Sequence, residues 1–145
     1  MENKPNFVPY EANHRIRPLL MVTTIVNQGQ GDAVAAIAHQ NEAFFTIIHH
    51  GRGTAPRDFY AFSPSAVPKK EIVFTVLRAD RWPVFRGQLK ERFSVSAIAK
   101  GMSFAVPIDA LAGVSIYKML SNTRQFEKPV RKGAHIKKEK RKDEK

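Results

Sequence analysis

The chain has 145 residues, a formal net charge of +11 and no cysteine. This length suits one domain with a single hydrophobic core, and the absence of cysteine excludes a disulfide framework and a thiolate metal site. No apolar run approaches the roughly 20 residues that span a bilayer, and the first residues lack the apolar stretch of a signal peptide. We therefore expect a soluble, cytoplasmic protein.

The positive charge is concentrated near the carboxyl end. Residues 122–145 contain ten Lys and Arg side chains against four Asp and Glu, so they carry +6 of the net +11. A mixture of this kind predicts a basic, disordered tail that solubilises the protein or binds anions loosely. A nucleic-acid-binding module that uses this tail is an alternative interpretation of the whole chain.

The amino-terminal part predicts an arm followed by a strand. Residues 1–17 are polar and contain two prolines, which predicts a flexible or surface-hugging arm. Residues 19–26 are almost continuously apolar and rich in β-branched side chains, as is typical of a core strand. Residues 27–31 contain two glycines and predict a loop.

The next segment predicts a helix and a second strand. Asp32 is placed to cap the helix with its side chain, and Val34, Ile37 and Ala38 fall on one helical face. Residues 43–50 then form a second strand with an apolar centre. The first half of the domain is therefore expected to be a β-α-β unit.

A long loop is predicted to follow the second strand. Residues 54–70 contain three prolines and show neither the period of a strand nor that of a helix. Loops of this length in small domains tend to be functional or disordered. Because aromatic side chains are unusual in a fully solvated loop, we expect Phe59, Tyr60 and Phe62 to dock on a partner.

The second half of the domain repeats the β-α-β pattern. Residues 71–77 predict a third strand, and Asp80 is placed to cap a helix that runs through residue 93. Residues 102–108 predict a fourth strand, whose proline indicates an edge or strand-end position. Four large apolar side chains share one face of the predicted helix: Trp82, Phe85, Leu89 and Phe93.

Two such halves predict an α+β domain of the ferredoxin-like βαββαβ order, with an antiparallel sheet and two helices on one face. The other face of the sheet has no predicted helix to cover it, although its strands are apolar on both sides. Burial against other copies of the chain would cover this face. We therefore expect a homo-oligomer, with a trimer or a dimer as the common solutions.

The end of the second strand is the strongest candidate for a ligand site. Gly51 and Gly53 allow backbone amides to face an anion, since glycine adopts positive φ freely. Arg52 between them offers a planar fork for phosphate or carboxylate, and Lys100 a compact point charge. A tight exit from the strand with Arg52 at the surface is the alternative.

Metal binding and catalysis are not indicated by the sequence. His49 and His50 are neighbours on a strand, point to opposite faces and lack a nearby acidic residue or cysteine in the sequence, so they are not expected to bind one ion together. No serine lies in a nucleophile elbow, and no carboxylate pair accompanies a histidine in a recognisable pattern. We expect no metal site and no enzymatic activity.

The order of these features resembles the P-II nitrogen-regulatory signalling proteins and their P-II-like relatives. The resemblance is carried by residues 51–55 after the second strand, the long loop, residues 69–73 at the start of the third strand, and Lys100 with Gly101 before the fourth. It covers residues 18–121, which leaves residues 1–17 as an arm and residues 122–145 as a tail.

The resemblance implies a homotrimer that binds adenine nucleotides in clefts between subunits and engages a transporter, enzyme or regulator through its long loop. The implied ligand-binding residues are Thr24, Gly51, Arg52, Gly53, Thr54, Lys69, Lys100 and Gly101. Residues 94–99 lack the glycines and the acidic residue that family members carry ahead of the fourth strand. The expected effectors are therefore not only ATP, ADP and AMP but also other small anions. A ligand-free oligomeric adaptor is the remaining alternative.

Overall fold

The computed structural model describes residues 8–54 and 69–123. The aromatic loop residues Phe59, Tyr60 and Phe62, and the basic tail beyond residue 123, lie outside the described residues. The described elements follow one another in the order α1 (Tyr10–Asn13), β1 (Leu19–Asn27), α2 (Gly31–Gln40), β2 (Phe45–Arg52), β3 (Lys69–Arg78), a 3-10 turn (Ala79–Arg81), α3 (Trp82–Val95), β4 (Gly101–Pro107) and α4 (Val114–Leu120).

The four strands form one antiparallel sheet in the order β2-β3-β1-β4. β1 is central, because Val22 is opposite Thr75 of β3 on one side and Ala105 of β4 on the other. The α+β, ferredoxin-like class predicted from the sequence is confirmed. The edge position of β4, which the proline suggested, is confirmed as well.

The helices α2 and α3 cover one face of the sheet and form the main core with it. Alternate residues of β1 and β3 point into this core, because successive side chains of a strand face opposite ways. Phe85 and Leu89 of α3 are buried there, and Trp82 and Phe93 pack against them, as the helical spacing predicted. Full burial of each such side chain stabilises the fold by about 1.5–3 kcal/mol.

The opposite face of the sheet, called the open face below, has no helix over most of its area. Six large apolar residues of this face are between 39% and 59% exposed in the single chain. These exposed residues are Met21, Phe45, Ile47, Met102, Phe104 and Val106. The prediction of strands that are apolar on both faces is therefore confirmed.

A second, smaller cluster closes one end of the open face. Leu19 and Val76 of the sheet are buried there against Tyr117 and Leu120 of α4. Tyr10 of α1 packs on the same cluster, with its ring centroid 5.8 Å from that of Tyr117. Part of the segment that was expected to be a flexible or surface-hugging arm therefore lies on the protein surface as a short docked helix.

Two predicted helix caps are wrong. α2 begins at Gly31, so Asp32 lies in its first turn and makes no side-chain cap bond. α3 begins at Trp82 after a 3-10 turn, and Asp80 instead forms an ion pair with Arg78 at 2.8 Å. α2 begins before its predicted cap and α3 begins after its predicted cap. The start of each helix is set by contacts outside that helix.

Candidate functional site

The topology brings most of the predicted ligand-binding residues to one end of the sheet. β1 and β2 end there, and β3 and β4 begin there, since neighbouring strands run antiparallel. Gly51 is opposite Lys70, Arg52 is opposite Lys69, and Val26 of β1 is opposite Gly101. We call this end of the sheet the basic end.

Two positive charges face each other across the β2–β3 pair. Arg52 and Lys69 are cross-strand partners and both are exposed. Like charges directly opposite in an antiparallel pair destabilise it. Within residues 8–54 and 69–123, no carboxylate forms an ion pair with either side chain. The arrangement favours an external anion that contacts both.

Asn27 links the start of β3 to the loop before β4. Lys70 Nζ donates a hydrogen bond to Asn27 Oδ1 at 2.6 Å, and Asn27 Nδ2 donates to the carbonyl oxygen of Ile98 at 3.0 Å. Asn27 itself is buried. This contact holds the loop that leads to Lys100 against the basic end. Lys100 precedes β4, which lies two strands and therefore about 10 Å from β3.

The amino end of α2 also lies at the basic end, and the chain's own Glu71 occupies it. The backbone N–H groups of Gly29 and Gly31 donate to Glu71 Oε1 and Oε2, at 2.9 Å and 2.6 Å. Gly29 has φ +85°, and a Cβ at Gly31 would lie 2.6 Å from Glu71 Oε2. Both glycines are therefore required for this turn to close around a carboxylate.

The hydrogen bond from Gly29 lowers the pKa of the Glu71 carboxyl most, against the opposing effect of its burial, and the bond from Gly31 lowers it further. A carboxylate that accepts backbone N–H bonds is favoured in its charged form. Glu71 was not among the site residues predicted from the sequence. The available signal was an acidic residue at the start of an apolar strand, in a chain that also has a Gly-x-Gly turn.

His50 lies beside the buried carboxylate, whereas His49 lies on the open face. The Nδ1 atom of His50 is 3.7 Å from Glu71 Oε1, and His49 packs edge to face on Phe74 with ring centroids 5.8 Å apart. The two imidazoles point to opposite faces as predicted. The expectation that no acidic residue lies nearby, drawn from sequence distance, is wrong for His50.

Within the described ranges, no group of three or more His, Cys, Asp or Glu side chains is arranged to hold a metal ion.

The remaining predicted residues have different positions. Thr24 is buried under the helices, and its hydroxyl is 2.9 Å from that of Ser103, so it does not reach the basic end's surface. Gly51 lies in extended strand backbone rather than in a left-handed turn, and Gly53 and Thr54 follow the strand directly. Gly101 lets β1 approach closely, because a Cβ there would be 2.6 Å from the Ile25 carbonyl oxygen.

No helix in the described part of the chain is both long and apolar enough to cross a membrane.

Comparisons with known proteins identify the fold. The chain is similar to CutA1 from Oryza sativa, with a TM-score of 0.55 and 16% identity over 76% of this chain and 97% of that one. It is also similar to a protein from Thermus thermophilus that is described as a PII-like signaling protein, with a TM-score of 0.49 and 16% identity over 66% of this chain and 91% of that one. The sequence matches no protein-family model and no curated protein. The chain therefore has a divergent P-II-like, ferredoxin-like fold.

Proposed function

We propose that this protein is a non-enzymatic regulatory protein of the cytoplasm that binds a small anionic metabolite at the basic end and signals to a protein partner through residues 54–70. The observation that carries the proposal is the cross-strand pair of Arg52 and Lys69. Repulsion between the two cations destabilises this part of the sheet in the free protein, and an anion that bridges them removes the repulsion. The segment that follows Arg52 is the one proposed to carry the signal.

The composition of the basic end suits a phosphate or carboxylate ligand. Arg52 offers a bidentate fork, and Lys69 and Lys100 offer point charges. Charge-assisted hydrogen bonds contribute about 1.5–3 kcal/mol each, so three of them correspond to affinities from roughly millimolar to micromolar. We include adenine nucleotides among the candidate effectors because of the resemblance in sequence order.

Glu71 limits how the anion is held. The backbone N–H groups of Gly29 and Gly31, at the start of α2, donate to its carboxylate and are not available to a ligand. An anion at the basic end therefore depends on the side chains of Arg52, Lys69 and Lys100. This dependence makes the site sensitive to single substitutions of those residues.

We further propose that the chain assembles as a homotrimer through the open face. The apolar side chains on this face would otherwise stay in water, and a contiguous exposed apolar surface of this kind marks an interaction site. Assembly of this sort would place the basic end of one copy beside a neighbouring copy, where a cleft between subunits completes the ligand site.

The experiment is a calorimetric and thermal-shift panel on the purified full chain with ATP, ADP, AMP, cyclic nucleotides and bicarbonate. A ligand that binds only the folded state must raise the melting temperature. The Arg52→Gln variant should lose this effect. Arg86→Gln removes the same charge from an exposed position of α3 and should keep it.

Light scattering on the same samples measures assembly. A monomeric mass together with no thermal shift from any ligand would overturn the proposal. A trimer that responds to none of them would instead support the ligand-free adaptor.

A further inference from the structure

A cavity of about 430 Å³ lies at the end of the sheet opposite the basic end, where β1 begins and β4 ends. It opens between the arm and the segment that joins β4 to α4. The arm contributes residues 10–11 and 16–18 to its lining, and the other side contributes residues 108–111, 113 and 114. The volume falls within the range of small-molecule sites.

The walls of this cavity are held in place by contacts within the chain. The backbone N–H of Ile108 donates a hydrogen bond to the carbonyl oxygen of Leu19 at 3.0 Å, which keeps the segment after β4 beside β1. The backbone N–H of Arg17 donates to the Tyr117 hydroxyl at 2.6 Å, and Tyr10 packs edge to face on the Tyr117 ring. These contacts join the arm to α4, so the cavity is formed before any ligand binds.

Much of the lining is apolar. Leu19 and Tyr117 belong to the small buried cluster. Ile16, Leu111 and Val114 also line the cavity and are 40–45% exposed in the single chain. An apolar group placed against these three side chains removes apolar surface from water, which is favourable.

Charged groups of both signs accompany the apolar lining. Arg17 lines the cavity from the arm, Glu11 from α1 and Asp109 from the segment after β4, and all three are exposed. In the part of the chain that the structure describes, none of them forms an ion pair. The cavity therefore presents one guanidinium and two carboxylates that do not neutralise each other.

This combination of groups indicates the class of ligand. A guanidinium binds a carboxylate through two parallel hydrogen bonds, and carboxylates accept hydrogen bonds from an ammonium group. A simple fatty acid would match the guanidinium but bring a third carboxylate to the cavity, and a simple amine would leave the guanidinium without a partner. A molecule that carries a carboxylate, an ammonium group and an apolar group together matches the whole lining.

We propose that this cavity binds an α-amino acid with an apolar side chain. Arg17 binds the carboxylate of the ligand, Glu11 and Asp109 bind its ammonium group, and the three exposed apolar side chains contact its side chain. The site is separate from anion binding at the basic end, because the length of β1, nine residues and therefore roughly 25–30 Å, lies between them.

The test is isothermal titration calorimetry of the full chain with L-leucine and three analogues that each lack one group. 4-Methylpentanoate lacks the ammonium group, 3-methylbutylamine lacks the carboxylate, and glycine lacks the apolar side chain. Each missing group removes a charge-assisted contact or an apolar one, so L-leucine should bind at least about fivefold more tightly than each analogue.

Variants assign each charged group of the ligand to its partner. Arg17→Gln should weaken binding of L-leucine at least about fivefold and remove its preference over 3-methylbutylamine, while the preference over 4-methylpentanoate remains. Glu11→Gln combined with Asp109→Asn should remove the preference over 4-methylpentanoate and keep the other. A merely structural role of these residues would weaken all ligands alike and leave both preferences unchanged.

Matched controls remove the same charges outside the cavity. Arg15→Gln changes a neighbouring exposed arginine of the arm, and Glu91→Gln changes an exposed carboxylate of α3, and neither residue lines this cavity. Both variants should bind L-leucine as the unmodified chain does. Circular dichroism melts confirm that each variant is folded.

The proposal is overturned if the unmodified chain binds no L-leucine at millimolar concentration, or if the three analogues bind as tightly as L-leucine. It is also overturned if Arg15→Gln weakens binding as much as Arg17→Gln, since the total charge of the arm would then be responsible.

Discussion

The Oε2 atom of Glu71 lies 2.6 Å from the backbone nitrogen of Gly31, so a carboxylate from the third strand occupies the amino end of the first long helix. The partial positive charge of a helix amino end stabilises such a carboxylate. The contact joins residues 40 positions apart and ties β3 to the β1–α2 turn. Glu71 is thus a structural anion within the basic end.

Replacement of Glu71 by Gln should destabilise the fold. The amide side chain cannot accept both backbone N–H bonds as a charged group, and the loss of a buried charge-assisted acceptor costs about 1–3 kcal/mol. Urea unfolding followed by circular dichroism measures the free energy of unfolding. Glu91→Gln, at an exposed position of α3, is the control, and an equal effect of the two substitutions would contradict this role.

The stabilisation by Glu71 should disappear in acid. Its pKa in the folded protein is lowered from the ordinary value of 4.5, so the carboxylate stabilises the folded state above that value and loses this effect as the pH falls through the lowered pKa. The difference in unfolding free energy between the unmodified chain and Glu71→Gln should therefore shrink below about pH 4.5. A difference that stays constant there would show that ionisation of Glu71 is not responsible.

Two glycine substitutions should have opposite effects. In Gly101→Ala the new Cβ would lie 2.6 Å from the Ile25 carbonyl oxygen and 2.7 Å from Val26 Cγ1, which forces β4 away from β1 and costs about 1–3 kcal/mol. Gly87 lies within α3 with nothing within 4 Å of a Cβ, so Gly87→Ala should stabilise by roughly 0.5–1 kcal/mol. Thermal unfolding measures the melting temperature of each variant, which should fall for Gly101→Ala and rise for Gly87→Ala. Equal shifts in melting temperature would contradict the packing argument.

Introduction of a charge on the open face should prevent the proposed assembly. Phe104 is 48% exposed in the single chain, and Phe104→Glu would bury an unpaired carboxylate at the interface, which is strongly unfavourable. The variant should give a monomeric mass in light scattering. Val84→Glu introduces the same charge on α3, where the valine is 54% exposed, and should leave the mass unchanged. An unchanged mass for Phe104→Glu would locate the interface elsewhere.

The amino-acid sequence by itself determined the βαββαβ order, the sheet class and the buried face of α3, because these depend on periods of two and 3.6 residues that local sequence records directly. It predicted neither α1 nor α4, the two short helices at the open face. It also predicted the uncovered apolar face, since successive residues of a strand face opposite sides of the sheet and both sets are apolar here. The capping residues were wrong because the exact start of a helix depends on contacts outside the helix.

Only the tertiary structure decided which distant residues meet. The strand register places Arg52 opposite Lys69, the turn at Gly29 meets Glu71 from 42 positions away, and the arm docks through Tyr10 on a helix more than a hundred residues later. A strand that slips by one residue keeps its local period but changes every cross-strand partner. The charges of the basic end were therefore visible in the sequence, but their opposition, and the internal carboxylate beside them, followed from the fold.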